Sequence, residues 1–207
     1  AVRAIFIANG TVVTIAGSPP PTPRSGFSDS TAALNALFYL PTDLTIDSAT
    51  GTIYVLDSGN NAVRRIAGSG SMAVQTVAGA GGARSGSPDG IGTLATFHLW
   101  GTNTLFSVVG YGGIMLDATG GLAISDTLNN LIRLVRPLSL STTLSSAFTA
   151  SRSSQFEYEV RTVLGPYPAT NVYGFVDGAG TAARLNHPTG ISIDPATGNL
   201  YVADTYN

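Results

Sequence analysis

Carboxylates dominate the chemistry this sequence could perform. Nine of its twelve acidic residues fall at recurring places: Asp29, Asp89 and Asp177; Asp47, Asp117 and Asp194; Asp57, Asp126 and Asp204. An asparagine follows each of the last three by three residues, at Asn60, Asn129 and Asn207. A ring of such groups around a channel could hold a hard divalent cation such as Ca²⁺, which takes several oxygen ligands. A carboxylate that returns in every copy of a repeat is more simply an anchor accepting backbone N–H groups in turns and loops. The recurrence favours that reading, and no metal site or other cofactor is assigned. His98 and His187, without cysteine or an H-E-x-x-H pattern, fall short of a zinc site and read as loop histidines. No G-x-S-x-G elbow is present, and the glycine-rich stretch at Gly79–Gly82 lacks the lysine of a phosphate loop. Arg3, Arg64 and Arg133 also recur, with cross-pairing or cover of the outer sheet expected rather than ligand binding.

These residues sit on a repeat. The segments LTIDSATGTIYVLDSGNNAVRRI (44–66), GIMLDATGGLAISDTLNNLIRLV (113–135) and GISIDPATGNLYVADTYN (190–207) align, with their first aspartates 70 and 77 residues apart. Each has an apolar run ending in Asp, a turn ending in Gly51, Gly120 or Gly198, and a second apolar run ending in Asp. TVVTIAG (11–17), VQTVAG (74–79) and VRTVLG (160–165) form a further series. The runs are short, rich in β-branched and aromatic residues, and bounded by Gly, Asn and Asp, which reads as strands. The D-x-A-T-G turns supply a side-chain acceptor and a glycine able to take positive φ. No dozen residues carry a helical period. The expectation is an all-β chain of four-stranded antiparallel units, strands a to d.

The combination VVTIAG, DG-x-G, P-x-GI-x-ID, G-x-LYVADT-x-N and IR resembles the NHL repeat family, which implies a β-propeller, mainly six-bladed. The resemblance recurs three times. On it, residues 1–17 are strands c and d, 43–79 one blade, 112–165 another with an insertion at 136–157, and 190–207 strands a and b. These make three blade equivalents with one blade split between the two ends. Three blades do not close a ring, and open edges invite pairing. Closure is therefore expected either from a second copy joined head to tail, giving a six-bladed homodimer, or from a missing half-propeller.

Composition narrows the function. With 43% hydrophobic and 11% charged residues the chain is not disordered, and no apolar run approaches the roughly 20 residues of a membrane span. A chain rich in Ser, Thr and Gly without lysine, with a sequon at Asn9, fits an extracellular or cell-surface setting. The expected role is a non-catalytic binding or scaffolding propeller for a protein or carbohydrate. The alternative is a hydrolase or lyase with a divalent cation in the channel. The long d-to-a loops 18–42, 80–111 and 166–189 should crowd one face, carrying Tyr39, Arg84, His98, Trp100, Tyr111, Tyr173 and His187. Aromatic and cationic groups of this kind are enriched at interaction hot spots. Ten arginines, no lysine and a net charge of −2 do not make a nucleic-acid footprint. In a filter-binding assay at physiological salt, mixed RNA should bind no tighter than micromolar; tight, steeply salt-dependent binding would show the surface to be misjudged.

Overall fold

The computed structural model describes all residues except 71, 83, 102–108, 139–156 and 169–171; the greater part of the 136–157 insertion lies outside the described residues. Alternating apolar residues between turn signals form the strands. A first pair, β1 (Val2–Phe6) and β2 (Thr11–Ala16), makes a two-stranded antiparallel sheet. Then follow β3 (Pro41–Asp47), β4 (Thr52–Asp57), β5 (Ala62–Ile66) and β6 (Val74–Ala78), a four-stranded sheet in sequence order. Loop 80–111, expected to be irregular, contributes short strands β7 (Gly90–Ile91), β8 (Trp100–Gly101) and β9 (Val109–Gly110), with β8 and β9 pairing as a small hairpin. The next unit is β10 (Ile114–Leu116), β11 (Leu122–Asp126), β12 (Leu131–Pro137) and β13 (Tyr158–Leu164), with β7 laid on the outer edge of β13. A last pair, β14 (Pro188–Ile193) and β15 (Leu200–Asp204), completes the described strands. The helical content of the described residues is short 3₁₀ turns. An unpaired strand edge is a template for aggregation, and β7 caps one such edge.

The core lies between the sheets. Leu56 and Val63 of one unit pack with Leu122, Ile124 and Val135 of the next, and Phe97 and Leu99 from the loop fill the space between them. A second cluster joins Val2 and Ala16 to Val55, Ile66 and Val74. Each unit thus buries its apolar face only against a neighbour, as stacked repeats must.

Polar links fix the spacing between units. Asn61 and Asn130 take the left-handed conformation after a 3₁₀ turn. Their side-chain oxygens accept the N–H groups of Leu99 and His187 in the following unit, each at 2.8 Å. Asp43 similarly accepts the Ile114 N–H at 2.9 Å, tying β3 to β10. Glycine is required where strand d ends: Gly79 has φ +95°, and a Cβ there would stand 2.3 Å from the Asn61 carbonyl oxygen. Its N–H donates to the Gly92 carbonyl, and Gly165 repeats the bond to Gly180, both at 3.2 Å.

Phe97 is fully buried between two sheets. Phe97→Ala should lower unfolding free energy by about 3–5 kcal/mol, read from urea denaturation followed by circular dichroism.

Candidate functional site

The recurring aspartates divide into two structural groups. Asp47, Asp117 and Asp194 sit at the turn between strands a and b. Asp47 accepts the Ala49 N–H (3.0 Å) and the Thr50 hydroxyl (2.6 Å). Asp194 does the same with Ala196 and Thr197, and Asp117 takes the N–H groups of Thr119 and Gly121. The threonine hydroxyls, then the turn amides, hold the Asp47 and Asp194 carboxyls below the usual range. At Asp117 burial pushes upward, but the Thr119 hydroxyl and the turn amides outweigh it and the net direction is down.

Asp57 and Asp126, by contrast, end strand b in the interior. Asp57 accepts the Tyr39 N–H at 2.8 Å, the Asn60 amide at 2.7 Å and the Arg64 guanidinium at 2.8 Å. Arg64 reaches on to Asp29 (2.7 Å) and to the carbonyls of Ser28 (2.9 Å) and Leu37 (3.0 Å). Asp29 in turn accepts the Thr76 N–H at 2.9 Å. The next unit repeats every part. Asp126 holds the His98 N–H, Asn129 and Arg133, each at 2.8 Å, and Arg133 reaches Asp89, which takes the Thr162 N–H. The side chains of Arg64, Asp57, Arg133 and Asp126 are 0% exposed. The arginines therefore cross-pair inside the blade and do not cover its outer surface. Burial pushes both aspartates upward; Asn60, the Tyr39 amide and Arg64 oppose it at Asp57, and Arg133, Asn129 and the His98 amide at Asp126. The guanidinium carbons lie 4.8 and 5.0 Å from the ring centres of Phe27 and Phe38, and 5.2 Å from Phe97. Cations over aromatic faces are stabilised in this way.

In the third copy Asp204 accepts the Asn186 N–H and the Asn207 amide, each at 2.6 Å, and Asn207 donates to the Gly174 carbonyl at 2.8 Å. Sequence reasoning missed the buried network of which these are part. Its signal was the spacing D-x-x-N-x-x-x-R, present at 57–64 and 126–133.

The loop residues singled out for binding are only partly brought together. Tyr39 and Trp100, from consecutive units, pack edge to face with ring centres 6.3 Å apart. Gly59 lies under the Tyr39 ring, since a Cβ there would come within 2.5 Å of it. The adjacent Ser58 donates to the Tyr111 carbonyl at 2.8 Å. His98 lies two residues from Trp100, and His187 packs against Tyr206 with ring centres 4.6 Å apart. Burial holds both imidazoles below the ordinary histidine range, with Asp126 opposing it at His98. Arg84 and Tyr173 are exposed. A cavity of about 620 Å³ opens at the other end of the innermost strands, where Asp47, Asp117 and Pro195 lie with Ile46 and Met115. Among the described residues no group of three or more His, Asp or Glu side chains could hold a metal ion.

Four-stranded antiparallel units packed face to face, with their first strands side by side around a cavity, define a β-propeller arc. The family model for the NHL repeat matches residues 38–66 and 185–207, the segments that hold β3 to β5 and β14 to β15. No curated protein matches the chain. Among solved structures, an auxiliary nutrient binding protein from Bacteroides ovatus is similar over 98% of this chain and 40% of its own, at 18% identity and a TM-score of 0.59. A protein of the same description from Bacteroides thetaiotaomicron is similar over the same shares, at 16% identity and a TM-score of 0.58. A structural genomics protein of unknown function from the latter species covers 98% of this chain and 39% of its own, at 18% identity and a TM-score of 0.61. The chain thus spans about two fifths of the length of these structures. Identities this low speak for the fold.

The two aspartate groups should differ sharply in the cost of substitution. Asp126→Ala strands the buried Arg133 and should cost about 3–5 kcal/mol by chemical denaturation, whereas Asp47→Ala should cost far less. The turn carboxylates, lowered on folding, contribute stability that is present above about pH 4 and lost as pH falls through their folded values. A series of melting temperatures against pH should show Asp47→Asn flattening the acid limb.

Proposed function

We propose that the chain is a non-catalytic binding propeller whose ligand, a protein or a carbohydrate, docks on the face built by the long d-to-a loops. The observation that carries this is the Tyr39–Trp100 pair. It joins rings from two consecutive blades, so the surface exists only when blades stand together. Aromatic rings with a polar handle give large contact area at low entropic cost. Arg84, Tyr173 and His187 extend this face in the proposal. The recurring carboxylates of the two complete blades are already engaged in turns and ion pairs, which favours recognition by shape and aromatic contact over acid–base chemistry. Two of the similar solved structures carry the description nutrient binding protein, in keeping with a binding role. The same reading closes the arc into a six-bladed ring, either with a second copy of the chain joined head to tail or with a further half-propeller.

Trp100 is the single tryptophan, so its emission reports directly on this face. Titration with a panel of neutral oligosaccharides should change that emission saturably for at least one member. Tyr39→Ala should weaken the response at least tenfold while the melting temperature moves by no more than a few degrees. A panel without response, or a stoichiometric divalent cation in elemental analysis of the purified protein, would turn the reading toward other ligands or the enzymatic alternative.

A further inference from the structure

Arginine recurs on the loop face as well as inside the blades. Arg24-Ser25-Gly26 and Arg84-Ser85-Gly86 each begin five residues before the aspartate that grips a buried guanidinium, Asp29 or Asp89. The two triplets are held alike. The Gly26 carbonyl accepts the Asn60 amide at 2.9 Å, and the Gly86 carbonyl accepts the Asn129 amide at 2.7 Å. Their N–H groups donate to the Phe38 and Phe97 carbonyls, at 3.2 and 3.1 Å. Each arginine is thus carried two residues beyond an anchored glycine on one arm of its loop. On the other arm, Tyr39 lies one residue past Phe38, and Trp100 three residues past Phe97. One buried Asp–Asn pair per blade therefore fixes both the arm that carries a cation and the arm that carries an aromatic ring.

Arg24 and Arg84 are exposed, and neither guanidinium has an ion pair or hydrogen bond among the described residues. The acidic residues of the same two loops, Asp29 and Asp89, are already engaged by Arg64 and Arg133. The uncompensated charge on loops 18–42 and 80–111 is therefore positive, although the whole chain carries −2. The third loop has Val172 two residues before its glycine, Gly174, so the feature belongs to two consecutive blades.

We propose that Arg24 and Arg84 bind the carboxylates of an acidic polysaccharide, a linear glycan whose uronic-acid rings recur along its length. This rests on the binding face proposed above and specifies its ligand. A planar guanidinium takes a carboxylate through two parallel hydrogen bonds. Equivalent places on successive blades repeat the cation as the polymer repeats its carboxylates, and two modest contacts to one linked ligand reinforce each other. The Tyr39–Trp100 pair supplies apolar area for the sugar rings. An acidic peptide matches the charge but brings no ring faces to that surface. Two cations on a chain of net charge −2 are too few for the phosphates of a nucleic acid.

Calorimetric titration of the full 207-residue chain with oligogalacturonates tests this, against their methyl esters, which keep every sugar ring and lose the charge. The acid form should bind about tenfold tighter than the ester, and its affinity should fall as salt is raised. Arg24→Ala and Arg84→Ala should each weaken binding of the acid form about tenfold and leave the ester unaffected. Neither arginine holds the fold, so both melting temperatures should stay within a few degrees of wild type. Acid and ester bound equally well would overturn the ionic assignment while leaving the binding face standing. Neither form bound would overturn it too, and the face falls with it only if Trp100 emission stays silent to neutral oligosaccharides. Polyglutamate bound as tightly as the acid glycan, with the same loss in both variants, would overturn the glycan in favour of an acidic protein.

Discussion

A buried guanidinium held between two carboxylates is the constraint on which each blade depends. Desolvating an arginine and an aspartate costs several kcal/mol per ion unless nearly every hydrogen-bonding direction is used. Arg64 uses two carboxylates and two backbone carbonyls, and Asp57 uses an amide side chain, a backbone N–H and the guanidinium. These partners come from four different parts of the chain: the preceding loop, the end of strand b, strand c and, through Asp29, strand d. All four must be in place together for these bonds to form, so the network ties the blade's register to its stability. Its Nε atom, without a hydrogen-bond partner in either complete blade, is the one direction left unused.

That network also sets where the loops go. The Tyr39 and His98 N–H groups are donors to the buried aspartates, so the chain on either side of them is pinned at the mouth of its blade. The Asn61 and Asn130 bonds then fix the distance to the following blade. Together they bring a tyrosine of one loop against a tryptophan of the next, far later in the chain. The aromatic surface is thus a consequence of scaffold chemistry, and any change to the buried pair moves it. The same logic explains why so few charges are free for catalysis in the complete blades: turns and ion pairs have taken most of the carboxylates.

The strands, their order and the NHL character were legible in the sequence, because alternation, D-x-A-T-G turns and a threefold spacing are local signals. The turn aspartates were legible for the same reason: Asp47 finds its partners within three residues. The role of Arg64 was not, since its partners lie 7, 27, 35 and 36 residues away and one-dimensional spacing cannot say which side of a strand is buried. Nor could the sequence assemble the loop residues. Tyr39 meets Trp100 while Arg84 and Tyr173 remain exposed, and the cavity opens at the turn end of the inner strands, away from every residue chosen for binding. Local chemistry decides which residues make strands and turns, and the sequence holds all of that. Which charges end up desolvated and which rings end up adjacent depends on how blades pack, and only the tertiary structure decides it.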